Sequence, residues 1–331
     1  MRALVMTGPS QGMDRTEVRE LAEPRPGPGE VTIDVACAGI NFLDVMARRG
    51  DAGYVGAWPY APGLEVAGAI REVGSEVTGL AVGQRVAAFT TGGGLADVVP
   101  VRAGLVVPIP DQVSTPVAAA APLMLTAALL LLTDAARFRP GETVLAHSAS
   151  GGVGGAVAQL VPVLGGGLRI GTVGRPDKIA SALGSGYDTA VARGEDLAEA
   201  VRAATGGAGV DIVLDPLGGG MIETDLALTA PGGRIVLFGN AGGGEQVRLP
   251  PSGRLIGGNL SIGGFSVSRL WATAPRRASA GLRRVLDLLA EGRLDIAITE
   301  VGSLAEVPAV HQLLAEGRGT GKYVAHLQNL P

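Results

Sequence analysis

The sequence predicts an α/β protein: a doubly wound parallel sheet in the middle of the chain, preceded by a region of short strands. Three observations predict it. Strand-length and helix-length apolar runs alternate from residue 142 to residue 240. A glycine-rich turn, HSASGGVGG at 147–155, separates the first of those strands from its helix. The first third of the chain instead carries short β-rich runs divided by proline and glycine.

The elements follow in order. RALVMT (2–7), EVTIDVAC (30–37), EVAGAIREVG (65–74) and QRVAAFT (84–90) read as strands. A rigid turn cluster of Pro24, Pro26, Gly27, Pro28 and Gly29 lies between the first two. AGLVVPIP (103–110) continues the style, and from Thr115 the texture becomes helical. The apolar stretch Val117–Leu132 is 16 residues long and contains Pro122 and Thr126. It falls short of the roughly 20 residues that span a bilayer, so it reads as a buried helix. Strands at 142–148, 168–174, 188–192, 210–218 and 233–240 then alternate with helices at 154–165, 175–184, 195–205 and 221–230. A strand within NLSIGGFSV (259–267) extends the sheet. The tail holds an amphipathic helix (281–292), a strand and a second helix (307–317).

Composition narrows the function. With 331 residues, 47% of them hydrophobic, the chain builds a sizeable core in two domains or one large one. The net charge of −4 is scattered, which offers no basic face for nucleic acid and no polybasic membrane patch. Cys37 is the one cysteine, so an internal disulfide and a cysteine-rich zinc site are both excluded. A reducing, cytoplasmic location is expected. The start, MRALVMTGPS, lacks the apolar core and cleavage site of a signal peptide.

The glycine turn carries the chemistry. A strict G-x-G-x-x-G fails; the fit is Ala149-x-Gly151-x-x-Gly154, with Ser150, Gly152 and Val153 between. Small residues there allow a tight turn, close approach to a pyrophosphate, and close helix packing. The helix N-terminus supplies N–H groups and partial positive charge to the anion. Because glycine makes up 53 of the residues, the competing reading is a turn used only for packing. The next strand ends at Gly174 with no carboxylate to hold ribose hydroxyls; Arg175 and Lys178 follow instead. Cations there favour a 2′-phosphate, hence NADPH over NADH. The competing reading is a pair of solvated helix-end charges.

The remaining candidates read as structural. His147 belongs to the core or the wall of the first nucleotide strand, and no nucleophile–base constellation emerges from His147, His311 and His326. Asp215 closes a strand. Asp44 and Arg48 pair or cap within the helix after Asn41, and Cys37 is a buried small residue.

Several stretches taken together carry a resemblance. They include VACAGINFLDVMARRG (35–50), YAPGLEVAGAIREVGSEV (60–77), PLMLTAALLLL (122–132), RPGETVLAHSASGGVGGAVAQL (139–160), DIVLDPLGG (211–219), GGRIVLFGNAGG (232–243) and GRGTGKYVAHL (317–327). In this order the chain resembles the medium-chain dehydrogenase/reductase superfamily, in its zinc-free, zeta-crystallin-like quinone oxidoreductase branch. The resemblance implies a GroES-like β-barrel domain, 1–121, interrupted by a Rossmann domain, 122–266, and completed by 267–331. Where zinc-dependent relatives have cysteine and histidine, this chain has Asn41 and Leu64, so no metal ligand set is expected.

The resemblance also implies site residues. Asn41 and Thr126 line the nicotinamide. Residues Ala149–Gly154 form the pyrophosphate turn, and Arg175, Lys178 and Arg193 meet the adenosine phosphate. Phe238, Gly239, Asn240, Arg318 and Lys322 complete the cofactor set. Asn41, Tyr54 and Thr126 are the candidate catalytic residues. Hydrogen-bond donors near Asn41, Tyr54 or backbone N–H groups would stabilise an enolate, and Tyr54 or solvent would supply its proton. The implied activity is NADPH-dependent reduction of a small-molecule quinone or α,β-unsaturated carbonyl. The alternatives are an enoyl-thioester reductase of a biosynthetic pathway, or an NADPH-binding protein with little turnover, as the lens crystallins of the family suggest. A homodimer formed through NLSIGGFSV, with no nucleic-acid or membrane partner, is expected.

Overall fold

The computed structural model describes residues 1–194, 196–242 and 249–327. Glu195 of the expected 195–205 helix, Gly243 of the GGRIVLFGNAGG stretch and residues 328–331 of the tail lie outside them. In chain order come β1 (Arg2–Met6), β2 (Thr16–Glu20), β3 (Glu30–Ile40), the helix Phe42–Arg49, β4 (Glu65–Val73), β5 (Arg85–Phe89), β6 (Val98–Arg102) and β7 (Val106–Pro108). A helical run, Thr115–Ala135, leads to β8 (Val144–Ala146) and the helix Gly152–Val163. β9 (Arg169–Val173), β10 (Thr189–Ala192), β11 (Val210–Asp215), β12 (Thr229–Leu237) and β13 (Ser261–Gly264) follow, with helices between. Helices Val267–Thr273 and Pro275–Ala290, β14 (Ile298–Val301), the helix Val307–Ala315 and β15 (Lys322–His326) close the chain.

The chain divides into two compact units: Met1–Thr126 with Val267–Pro331, and Ala127–Ser266. In the second unit the strand order is β10-β9-β8-β11-β12-β13, all parallel. Chain order reverses between β8 and β11, and ligands of open α/β sheets bind at the carboxyl ends of strands flanking such a switch point. Leu145, Ile170, Val201, Val213 and Ile235 are wholly or almost wholly buried in its core. Runs of aliphatic residues on both sheet faces are what parallel strands covered by helices require.

In the first unit β14-β15-β3-β4-β5-β7 form one sheet path, with β6 also on β3. Most of these pairs are antiparallel, whereas β14 and β15 run parallel. The eleven-residue β3 serves three partners: its first half pairs β6, its last residues pair β15, and β4 runs along the other edge. Strand β15 therefore brings the chain's tail against the residues that end β3.

The helical run is 21 residues, and its most apolar window has a mean hydropathy of 2.0, so it is long and apolar enough to cross a membrane. That corrects the shorter reading taken from its 16-residue apolar stretch. Its most apolar window is 83% buried inside the protein, as a core helix would be. Three strands and two helices went unread in the sequence, the third strand being β15 after the last tail helix. β2 (TEVRE) is polar and almost fully exposed, so it shows no alternation. β6 contains Pro100, which argues against a strand. Ser252–Gly258 is glycine-rich with no buried residue, and Val267–Thr273 buries only Trp271.

Candidate active site

In the second unit the glycine turn follows β8. His147 N–H still donates to the Leu214 carbonyl at 3.0 Å, continuing the sheet. Ser148 then takes a left-handed conformation, φ 56°, and turns the chain. Gly151 is the N-cap of the twelve-residue helix Gly152–Val163, which has no side-chain cap and no acidic residue in its first turn. Its N-terminal donors therefore face no carboxylate of their own, which suits an anion. Gly154 is required on steric grounds. A Cβ there would sit 2.5 Å from the Ser148 carbonyl oxygen and 2.7 Å from Ala149 Cα.

Beneath the turn lies a buried polar chain. His147 Nδ1 meets Thr172 Oγ1 at 2.7 Å, and its Nε2 meets Asp225 Oδ1 at 2.7 Å. All three residues are fully or almost fully buried, so the imidazole is a satisfied core group joining β8, β9 and the helix Ile222–Leu228. Asp215 ends β11 and accepts the Leu217 and Gly218 N–H groups at 2.6 and 3.2 Å. Burial raises its carboxyl to about 6. It is a turn-former, in keeping with its place in the sequence.

The end of β9 carries the cations. Arg175 forms two hydrogen bonds to Asp177, at 3.0 and 2.9 Å, and both side chains are exposed. Lys178 is half-buried, and burial with the nearby Arg175 lowers its ammonium. Arg193, just past β10, lies over Gly174: a Cβ at Gly174 would stand 2.8 Å from Arg193 Nη2. Its Nη1 is buried without a hydrogen-bond partner, and burial lowers the guanidinium from its usual value. A buried donor with no acceptor beside a strand's carboxyl end fits the phosphate of NADPH. Phe238, Gly239 and Asn240 follow β12 at the same end of the sheet. Phe238 N–H donates to the Asp215 carbonyl at 2.9 Å, and Gly218 packs against Gly239 and Asn240.

In the first unit a second cluster forms around Asn41, which ends β3 and caps the helix Phe42–Arg49. Its backbone N–H donates to Asp44 Oδ2 at 2.9 Å, and Asp44 Oδ1 accepts the Gly63 N–H at 3.1 Å. Asp44 is thus a cap, its carboxyl raised to about 6 by burial. Arg48 does not pair with it; one amino group reaches the Gln11 carbonyl and Gln312 Oε1.

The Asn41 amide is almost fully enclosed. Its Nδ2 donates to Gly39 O at 3.2 Å and to Glu65 Oε1 at 2.8 Å. Its Oδ1 accepts Lys322 Nζ at 2.6 Å. Both donor hydrogens are committed, so Asn41 offers a ligand only the remaining lone pair of Oδ1. Lys322, grouped by sequence with the cofactor residues, spends its ammonium on Asn41, the Ile40 carbonyl and Glu65.

Thr126 is fully buried one turn beyond Leu123, its hydroxyl 3.5 Å from the Ala121 carbonyl. Tyr54 is half-buried in the 51–59 loop, and burial raises its hydroxyl pKa, so it keeps its proton at neutral pH. Arg318 is exposed and paired with Glu316 at 3.2 Å. Neither Glu65 nor the Lys322 contact was read from the sequence. The signal present was a carboxylate and one of only two lysines, each opening a mostly apolar strand. Among the described residues, no group of three or more His, Cys, Asp or Glu is placed to hold a metal ion.

Comparison with known proteins agrees with this architecture. Residues 27–111 match the alcohol dehydrogenase GroES-like domain, and residues 152–291 match the domain described as zinc-binding dehydrogenase. The first unit is thus GroES-like and the second a Rossmann-type parallel sheet. The chain is 35% identical to a Pseudomonas aeruginosa quinone oxidoreductase, covering 95% of this chain and 96% of that protein. It is 34% identical to a phenolphthiocerol/phthiocerol polyketide synthase polypeptide of Mycobacterium tuberculosis over 94% of this chain, which spans only 14% of that much longer protein. The crystal structure of Escherichia coli quinone oxidoreductase complexed with NADPH superposes with a TM-score of 0.90 at 27% identity, covering 98% of this chain and 100% of that one.

Proposed function

Because the chain belongs to the zinc-free, quinone oxidoreductase-like family of medium-chain dehydrogenases/reductases, we propose that it is an NADPH-dependent reductase of quinones or α,β-unsaturated carbonyl compounds. The observation that carries this reading is Arg193, with a buried, unpartnered guanidinium nitrogen at the carboxyl end of the strands behind the glycine turn. Bound NADPH supplies the reducing equivalent; the protein supplies distance, face and charge.

The residues divide the work. The N-terminus of Gly152–Val163, with Ala149, Ser150, Gly151, Val153 and Gly154, holds the pyrophosphate. Arg193 and Lys178 hold the 2′-phosphate, joined by Arg175 once it leaves Asp177. Phe238, Gly239, Asn240 and Arg318 take further cofactor contacts. Asn41 and Thr126 line the nicotinamide, with Asn41 accepting a hydrogen bond through Oδ1. Tyr54, protonated at neutral pH, donates to the substrate carbonyl or to the carbanion formed from it.

A second reading, reduction of an enoyl thioester, is favoured by the match to a polyketide synthase across 94% of this chain. A screen of NADPH oxidation against quinones, enones and enoyl thioesters, with NADH in parallel, tests both. Turnover with thioesters alone would select the second reading. Tight NADPH binding without oxidation of any class would leave a binding protein. The reductase is proposed to act as a cytoplasmic homodimer, because β13 is the exposed edge of its sheet and a two-fold copy would pair with it.

A further inference from the structure

Two buried charged residues have no part in the roles assigned above. Lys322 in β15 and Glu65 at the start of β4 form an ion pair whose side chains are 4% and 0% exposed. They lie 257 residues apart in sequence. Glu65 Oε1 accepts both the Lys322 ammonium and Asn41 Nδ2, and its Oε2 accepts the Leu123 N–H at 2.7 Å. The ammonium's three hydrogens go to Glu65, to Asn41 Oδ1 at 2.6 Å and to the Ile40 carbonyl at 3.1 Å, which exhausts it.

This arrangement leaves the Asn41 amide one orientation. An ammonium has no acceptor, so it must face Oδ1. A carboxylate and the Gly39 carbonyl have no donor, so they must face Nδ2. Turning the amide over would set donor against donor and acceptor against acceptor in a site without bulk water. The other carboxylate oxygen enters the helical run where residues Ala121–Leu125 wind as a π turn that includes Pro122. Such turns loosen the backbone ladder, and here the freed Leu123 N–H is taken up by Glu65. Thr126 stands at the end of that turn.

We propose that Glu65 and Lys322 are a positioning pair that locks the amide of Asn41 and the helical turn carrying Thr126. Through those two residues the pair sets the placement of the nicotinamide. The proposal rests on the reading that Asn41 and Thr126 line that ring. An ionised carboxylate is acceptor-only, which all three of its contacts require. The ammonium is its counter-charge and, at the same time, the donor that orders the amide. Neither residue touches the reacting atoms.

The test combines kinetics with a readout on the free protein. Lys322→Met lowers kcat by about 10- to 100-fold, the cost of a misplaced reacting group, while NADPH Kd from fluorescence titration moves less than about threefold. Asn41→Ala lowers kcat comparably. Because Lys322 itself contacts Asn41 and not the Leu123 turn, which Glu65 holds, Asn41→Ala/Lys322→Met is no slower than Asn41→Ala within about threefold. Losses that multiply in the double variant overturn the proposal. In ligand-free protein, the Asn41 side-chain amide and the Leu123 backbone amide are protected from hydrogen exchange, and Glu65→Gln, which replaces one of the two acceptor oxygens by an NH2 donor, removes at least one of these protections. Protection unchanged in that variant also overturns it. If Lys322→Met fails to fold, the charge-neutral Glu65→Gln/Lys322→Met takes its place and loses at least one of the two protections. A wild-type protein that fails to oxidise NADPH with any quinone, enone or enoyl thioester sinks the reductase reading; the exchange measurement still decides the positioning claim.

Discussion

Replacing Arg193 with methionine separates the two coenzymes. The guanidinium lies over Gly174 with Nη1 buried and unpartnered, and burial already lowers its pKa. A charge-assisted bond from such a group to a phosphate is worth about 1.5–3 kcal/mol. That converts to a roughly 10- to 150-fold rise in NADPH Kd. NADH has no 2′-phosphate, so its Kd stays within about threefold. Apo stability holds or rises, because the variant removes a desolvated cation rather than a paired one. Added salt weakens NADPH binding more in the wild type than in the variant, since screening acts on the lost contact. Paired fluorescence titrations with NADPH and NADH, at two ionic strengths, measure all of this. Equal weakening of both coenzymes, or of neither, refutes the assignment of Arg193 to the 2′-phosphate.

Asp177→Asn frees Arg175 from its two hydrogen bonds and removes a negative charge near the phosphate, so NADPH Kd falls a few-fold while NADH Kd does not. Calorimetric titration reads the difference. Gly154→Ala drives a methyl into the Ser148 carbonyl and the Ala149 backbone, which cannot move aside; it destabilises by about 1–3 kcal/mol in urea and weakens both coenzymes alike. His147→Ala strands the buried Asp225 carboxylate and costs about 3 kcal/mol or more, seen as a lower urea midpoint. The His311 imidazole, buried between the helices Phe42–Arg49 and Val307–Ala315, is pushed down to about 3. The unfolded chain therefore binds a proton that the folded state refuses, and this contribution to stability is lost as pH falls from about 6.5 towards 3. Asp44 and Asp215, each raised to about 6, act oppositely: acidification from about 6 to 4 favours the fold. His311→Leu removes the acid-labile part, and the variant's urea midpoint then rises as pH falls from 7 to about 5.

Local pattern was enough for the second unit. Most of its strands are aliphatic runs and most of its helices show a 3.6-period face, so β8 to β13 and the helix after the glycine turn were legible one at a time, while the glycine-rich helix Ser252–Gly258 was not. The small residues at 149–154 and the cations at 175 and 178 belong to short stretches whose function follows from backbone sterics and charge. The first unit was harder. β2 is polar and exposed, and β6 carries a proline, so neither shows the alternation that marks a strand.

Pairings between distant residues were decided by the tertiary structure alone. Lys322 stands 281 residues from Asn41, His147 stands 78 from Asp225, and Arg193 reaches Gly174 only because β10 lies beside β9. No local signature marks such contacts, because a side chain's donors and acceptors are satisfied by whatever the sheet order brings near. Sequence therefore determined which residue types were available and the elements that carry them. Folding determined which of their hydrogens and lone pairs were already spent, and so that Lys322 holds Asn41 while Arg193 keeps a donor to give.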